Sequence, residues 1–471
     1  MFVSYSKIRC YKSYLFYLTR RLLLIITALL LSHTSIFADE KDLIGLYQQA
    51  LSYDALLSSA KFQNEATQEL ITQGRSLFLP TISMTAGYDE NDNQRKIYTN
   101  IDNTLLSGTK ADYHSYDYGI TITQPLFDYS AFGRYKQILS QTSLSDKQLI
   151  QSQQDLMYRI ALIYFESLMA KDQIDLLQAQ RAAVQEQLLQ AEARYDAGLI
   201  SITDINESKT KAALIEAQQI AAIQKLKIKK RQIQALTGEL PGKLKELNAV
   251  VSFTQIDTPI ENWVSLAQQN NLELKIKEDE IMIADREIDI KQAGHYPTLD
   301  AIASRSRNWD KGGYPYGTIN NEGARSFSDV LGVQLSIPIF SGGLTSSKVR
   351  EARLLKSKVE QDAEYLRRQV ELRVRENYLN LQTNFEQIKA YQQAMESAEL
   401  TLESTKIGFQ EGLRNSVDVL VSQQVLFNAK KDILESRYNY LMNIINLKLS
   451  VGMLTRQDLE EINDYLVTDS V

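Results

Sequence analysis

The chain carries one pattern twice. Gln124-Pro125-Leu126-Phe127 returns as Ile337-Pro338-Ile339-Phe340, and Leu236-Thr237-Gly238 returns as Ser450-Val451-Gly452. Tyr195, Gly198 and Asp204 return as Phe409, Gly412 and Asp418. Pro125 and Pro338 lie 213 positions apart; Gly198 and Gly412, Asp204 and Asp418, and Gly238 and Gly452 each lie 214 apart. An offset that steady reads as duplication of a domain-sized unit, far longer than a solenoid repeat. It predicts one wall built from two equivalent halves, residues 39–255 and 256–471.

Residues 1–38 stand apart from both halves. Lys7, Arg9, Lys12, Arg20 and Arg21 precede an apolar run, Leu22–Leu31, and Ser35-Ile36-Phe37-Ala38 follows. Basic, apolar and small-residue parts in that order predict a signal peptide cut after Ala38. The run is too short for a permanent span, although an uncleaved anchor is the alternative. Losing five positive charges takes the formal net charge from −6 to −11. That balance speaks against a nucleic-acid partner, which needs basic patches. The only cysteine, Cys10, leaves with the segment, so the remainder has no disulfide or thiolate metal site. No later run approaches the ~18 apolar residues of a membrane helix. If the chain enters a membrane, it does so as a closed β-barrel.

Hydrophobic spacing predicts a mostly helical α+β chain. Asp42–Phe78 reads as one helix, ended by Pro80. Thr81–Tyr88 then alternates, with Ile82, Met84, Ala86 and Tyr88 on one face and small polar residues on the other. Asp89–Asp112 reads as a polar loop, and Tyr118, Ile120 and Ile122 mark a second strand closed by Pro125. From Ser130 to Tyr195 a heptad seam runs Leu156, Ile160, Ile163, Ser167, Ala170, Ile174, Leu177, Arg181, Val184, Leu188, Ala191, Tyr195. That period predicts coiled-coil packing along a rod of roughly 100 Å. Gly198 sits at a C-cap, and Ser201 with Asp204 forms a capping box for a helix to about Leu236. Glu239–Ile260 reads as a linker. The second half repeats the plan: a helix over Trp263–Ala293, strands near Thr298–Trp309 and Ser326–Ile337, and a loop holding Gly312, Gly313 and Pro315. A helix over Leu344–Glu411, a cap at Gly412 with Asn415 and Asp418, a helix to about Ser450 and a polar tail, Gln457–Val471, complete it.

These residues match a family. Gly412-Leu413-Arg414-Asn415-Ser416-Val417-Asp418, Leu426-Phe427-Asn428-Ala429-Lys430, Arg437-Tyr438-Asn439-Tyr440-Leu441, the partner segment Gly198–Asp204 and the two Pro-hydrophobic-Phe strand ends together resemble TolC-type outer-membrane efflux proteins. The resemblance covers essentially all of the chain after the signal peptide. It implies a homotrimer in the outer membrane, with four strands per protomer making a twelve-stranded β-barrel. A coiled-coil α-barrel continues it through the periplasm. It also implies a periplasmic adaptor (membrane fusion) protein and an inner-membrane transporter of RND, MFS or ABC type. The duct so implied would passively conduct drugs or secreted polypeptides, in contact with outer-membrane lipid. Tyr88, Tyr98, Tyr113, Tyr116, Tyr118 and Trp309 lie near strand ends, where barrels carry aromatic girdles, and equally suit ordinary packing.

No catalytic, cofactor or metal constellation is visible. His114 and His295 lie in different elements with no ligand spacing, and nucleophile-elbow and phosphate-loop motifs are missing. Matched by position, the family's periplasmic gate falls on Thr203, Asp204, Phe409, Arg414 and Asp418, with Arg414 facing Thr203 and Asp204 between neighbouring coiled coils. Spacing alone leaves Asp204 and Asp418 as helix caps. Phe409 stands where the family often has tyrosine, and Asp418 is followed by Val421 where a second acidic ring is often found. One implication is an entrance that favours cations and holds multivalent ones modestly. Gly198, Leu199, Gly412 and Leu413 are the expected adaptor-docking tips; the leucines equally suit stapling the turns. Two rivals remain: a periplasmic coiled-coil adaptor, which should carry one hairpin rather than two, and a poreless structural coiled coil, which needs no strands.

Overall fold

A computed structural model describes residues 41–98, 105–198, 200–248, 253–312 and 324–467. The expected signal peptide, Leu199, Gly313 and Pro315 lie outside the described residues. In chain order the elements are α1 (Leu43–Tyr53), α2 (Ala55–Ser76), β1 (Thr81–Tyr98), β2 (Leu105–Phe127), α3 (Tyr129–Asp196) and α4 (Ile202–Thr237). Then come β3 (Glu246–Leu247), α5 (Ile260–Asn270), α6 (Leu272–Gln292), β4 (Thr298–Gly312), β5 (Ala324–Ser336), α7 (Leu344–Gln410), α8 (Ser416–Val451), α9 (Arg456–Asn463) and β6 (Leu466–Val467). Two helices, two strands, a long helix and a further helix follow one another twice in that order. No helix among the described residues is long and apolar enough to cross a membrane.

Four of the strands form one antiparallel sheet in the order β1-β2-β4-β5, so β1 and β5 are its open edges. Register sorts the side chains. Ile82 pairs with Ile122, Met84 with Ile120 and Tyr88 with Tyr116, and these share a face with Trp309 and Leu331. Thr81, Thr123, Ser83, Thr121, Ser304 and Ser306 occupy the other. A sheet with one apolar and one polar face, the apolar one uncovered (Leu331 is 87% exposed), is suited to a barrel wall between lipid and water. Tyr88, Tyr116 and Trp309 form a continuous aromatic row, with ring centroids 5.1 and 6.1 Å apart. Tyr118 shares that face, whereas Tyr113 lies on the other and accepts a hydrogen bond from Asn93 at 3.2 Å.

Most of the expected polar loop is strand. The β1–β2 ladder continues as far as Asp92↔Asp112 and on to the Tyr98 end. Alternation disappears there although the hydrogen bonds persist, because backbone pairing does not need one apolar face. The expected single helix over Asp42–Phe78 is broken at Asp54, whose carboxylate accepts from Leu57 N–H at 2.7 Å and takes both Arg159 forks at 3.0 and 3.2 Å. The second half breaks likewise at Asn271, which accepts from Leu274 N–H at 3.1 Å and donates to Ser450 O at 2.8 Å. Short polar side chains that can bond the backbone favour such interruptions. The tail is also more ordered than its polarity suggested. Leu459 and Ile462 of α9 are buried, and β6 pairs with β3 from the expected linker.

The heptad seam holds. Every seam position from Leu156 to Ala191 is buried or half-buried, and only Tyr195, at the tip, is exposed, at 42%. A second buried stripe, Met157, Ala161, Tyr164, Phe165 and Leu168, turns α3 into an inner helix packed on two sides. The main core lies at mid-length, where these residues meet Tyr438, Leu441 and Ile445 of α8 and Leu43 and Leu46 of α1. Burying each such large side chain contributes about 1.5–3 kcal/mol. On the sheet side of this core the helices neighbour one another as α2-α3-α6-α7; on the far side they run α4-α3-α8-α7. At each level one chain thus presents an open arc of four helices beneath four strands.

Candidate functional site

The far ends of the two helical hairpins share one backbone device. α3 ends at Asp196 with Ala197 as its C-cap, and Gly198, at φ +72°, turns the chain with its N–H on Tyr195 O at 2.8 Å. Ser201 then caps α4, and Asp204 Oδ2 accepts the Ser201 N–H at 3.1 Å. At the second tip Gly412 sits at φ +76°, and Leu413 N–H reaches back to Gly408 O at 2.8 Å. That five-residue step back is the mark of a Schellman end. Asn415 Oδ1 accepts Asp418 N–H at 2.8 Å, and Asp418 Oδ2 accepts Asn415 N–H at 3.2 Å. Asp204 and Asp418 are therefore caps, as their spacing allowed. Each still keeps a carboxylate oxygen outside the box.

Within one chain the expected gate residues do not all meet. Thr203 is exposed, and its N–H donates to Ser201 Oγ at 3.1 Å. The side chain of Arg414 is 62% exposed, and its ion-pair partner is Asp418 of its own tip, at 3.9 Å. No ion pair joins Arg414 to Asp204 within the chain. Leu413 is 82% exposed, so it does not staple its turn. Phe409 differs most from expectation. It is only 4% exposed, packed with Leu402, Val419 and Leu426. The Arg194 guanidinium lies 4.0 Å from its ring centroid, and Arg194 Nη1 donates to Phe409 O at 3.1 Å.

Arg194 was not among the residues singled out from sequence. It ties the end of the first hairpin to the second through a cation–π contact and a carbonyl bond. Gln187 Nε2 donating to Ser416 Oγ at 3.2 Å, and Gln180 Nε2 to Gln424 Oε1 at 3.3 Å, continue that seam inward. The available signal was the place of Arg194, one residue before the last seam position. Nothing in its spacing indicated the ring it would meet.

Deeper along the hairpins, Tyr438 OH donates to Asp172 Oδ2 at 2.6 Å. Burial pushes the Asp172 carboxyl above its usual range against that hydrogen bond, pushes the Tyr438 phenol up, and pulls the neighbouring Arg437 guanidinium down. An open cavity of about 480 Å³ adjoins it, lined with Asn384, Asn439 and Asn443. Glu166, paired with Lys229 at 2.7 Å, and the apolar Leu162, Phe165 and Met169 complete its lining. Among the described residues no group of His, Cys, Asp or Glu is placed to hold a metal ion.

Comparison with known proteins agrees with this geometry. The profile of the outer membrane efflux protein family matches residues 46–239 and 263–453. The proteases secretion protein PrtF of Dickeya chrysanthemi is 30% identical over 457 residues, 94% of each chain. Outer membrane protein TolC of Vibrio cholerae is 31% identical over 433 residues, 90% of this chain and 93% of its own. Among solved structures, the outer membrane protein VceC of Vibrio cholerae superposes with a TM-score of 0.70 at 18% identity, covering 87% of this chain and 96% of its own. That last likeness shows the fold alone.

Proposed function

The chain belongs to the outer membrane efflux protein family and is a protein of the outer membrane, and on that premise we propose that three copies close into one export duct. The observation that carries this reading is the open arc. One protomer has four strands and four helices at each level, with unpaired edges at β1 and β5 and at α4 and α7. Both edges present large apolar side chains to solvent: Leu214 and Ile220 on α4, Leu354 and Leu400 on α7. Four strands are too few for a membrane barrel, whose smallest forms have about eight. Three copies supply twelve strands and twelve helices at every level, so barrel and tunnel match.

In this reading the halves 39–255 and 256–471 are copies of one unit, and the duct carries molecules handed over by an inner-membrane transporter through a periplasmic adaptor. The name of PrtF supports secreted polypeptides as cargo; drugs are the alternative. The relatives are export proteins, which supports a role without catalysis. The gate lies at the hairpin tips, where Arg414 of one chain meets Thr203 and Asp204 of the next. Its exposed fork can pair bidentately with a carboxylate. Three Asp418 carboxylates ring the axis, and adaptor contact falls on Gly198, Gly412 and Leu413 with the neighbouring Leu199.

Single-channel conductance of the purified protein in a planar bilayer, beside Arg414→Ser, tests both parts. Small steps that enlarge in the variant support duct and gate. Equal steps remove the gate from Arg414, and silence from both proteins removes the duct.

A further inference from the structure

The apolar face of the sheet carries an unexpected group of cations. Register pairs Arg307 with Phe327 and Trp309 with Arg325 on neighbouring strands β4 and β5. The guanidinium of Arg307 lies 4.7 Å from the Phe327 ring centroid, and that of Arg325 lies 4.6 Å from the Trp309 centroid. A guanidinium over an aromatic ring is held in place without its charge being neutralised. Arg305, one step nearer the helices, is fully engaged: its Nε and Nη2 bond both Asp329 oxygens at 2.8 and 2.7 Å. Arg307, Arg325 and Lys311, by contrast, make no ion pair among the described residues. Diagonal neighbours on paired strands stand about 7–8 Å apart, close enough for two forks to share one anion.

The surroundings narrow what that anion is attached to. Toward the helices the same face is mostly apolar, with Leu331, Ile120 and Met84 all exposed around the mutually paired Arg305 and Asp329. At the level of the cations runs the aromatic row of Tyr88, Tyr116 and Trp309. A free anion would satisfy the charge and ignore the apolar strip. A lipid with a phosphorylated headgroup satisfies both, its chains lying along Leu331 and Ile120. An arginine facing lipid is unfavourable unless it meets an anion, and basic clusters beside membrane surfaces recognise such headgroups. We propose that Arg307 and Arg325, helped by Lys311, form a binding site for the phosphate of an outer-leaflet membrane lipid on the outside of the β-barrel. The site rests on the barrel reading, which places this face against lipid and its helix-remote end outward.

The test uses the full chain purified in mild detergent as its native assembly. Retained lipid is measured by native mass spectrometry after addition of bisphosphorylated lipid A, or of the same lipid stripped of phosphate. Trp309 fluorescence is followed with bromine-labelled acyl chains in a Trp263→Phe background, because the chain has only 2 tryptophans. The wild type should hold the phosphorylated lipid roughly tenfold more tightly, as charge-assisted fork contacts are strong. The Arg307→Gln/Arg325→Gln variant should lose that preference while Trp309 quenching persists, and millimolar inorganic phosphate should not displace the lipid. Equal retention of the two lipids by the wild type, a comparison that needs no variant, overturns the site. Displacement by inorganic phosphate overturns it as well. If Trp309 is quenched in either case, the barrel reading survives alone. If Trp309 is not quenched, the face does not meet lipid and both readings fall together.

Discussion

The two hairpin tips have one backbone and two different side-chain environments. Both turn on a glycine at positive φ and both open the next helix with a capping box. Their arginines differ. Arg194 precedes its turn and is engaged within the chain, stacked on Phe409 and bonded to its carbonyl. Arg414 follows its turn and is exposed, with only a 3.9 Å contact to Asp418. The equivalent of Arg194 in the second half is Gly408, where an added Cβ would come within 2.9 Å of Arg414 Cγ. Glycine there lets the Arg414 stem lie against the helix. Two tips with the same caps thus differ in side-chain engagement, because side-chain reach is free to diverge while the caps are not.

The strongest break of that comparison is Arg414→Ser. A link to a charged group is worth about 1.5 kcal/mol, which corresponds to roughly a tenfold shift of the open population. Planar-bilayer conductance should rise in Arg414→Ser and in Asp204→Asn, and stay near wild type in Arg194→Lys. An equal rise in all three would erase the distinction between the arginines.

Next in size is the contrast between the two helix breaks. Asp54→Ala removes both a cap and the Arg159 pair, a loss of about 3 kcal/mol; Asn271→Ala loses cap and one carbonyl bond, about 2 kcal/mol. The drop in thermal midpoint, followed by helical circular dichroism, should keep that order.

Asp54 and Asp172, both in the first half, should also respond to acid in opposite ways. Burial raises the Asp54 carboxyl, but Arg159 and the Leu57 N–H outweigh it and hold the group below its ordinary 3.8. Its stabilisation is complete above that value and is lost as pH falls through the lower folded one. Asp172 has the opposite sign. Burial holds it above 3.8, so its contribution is present below that value and is lost as pH rises through the folded one. Asp172→Asn should therefore raise the midpoint near neutrality and leave it unchanged in acid, whereas Asp54→Asn should flatten the acid limb. The matching position in the second half, Glu386, is exposed and paired with Lys389 at 3.5 Å.

The smallest effect tests sameness. Gly198→Ala and Gly412→Ala each force a side chain to positive φ with nothing within 4 Å to clash, so each should cost about 1 kcal/mol. Unequal losses in tip protection, read by hydrogen exchange, would mean the two turns are not equivalent.

Much of this fold was legible because its signals are local or periodic. The seam from Leu156 to Ala191, the two capping boxes and the alternation of Ile82, Met84 and Tyr88 are visible without any long-range knowledge. The breaks at Asp54 and Asn271 were not, since a lone Asp or Asn in a helical run becomes a cap only when Arg159 or Ser450 O stands opposite. The long β1–β2 ladder escaped for another reason. Its outer part lacks an apolar face, and hydrogen-bonded pairing alone leaves no pattern in the residues. Of the candidate site, Gly198, Asp204, Gly412 and Asp418 were placed correctly as turn and cap positions. The environment of Phe409 was not, because a ring on one hairpin and a guanidinium on the other meet only after both hairpins pack.

The sequence by itself determined the long helices, the alternating parts of the strands and the capped turns, because helix periodicity, strand alternation and turn chemistry act over a few residues. Tertiary structure alone decided which helices neighbour one another at each level, and how the caps at Asp54 and Asn271 are anchored. It also decided which arginine is engaged at the tips and which rings Arg307 and Arg325 cover on the neighbouring strands. Those outcomes depend on residues tens or hundreds of positions apart arriving at one place, and only the packed chain sets that distance.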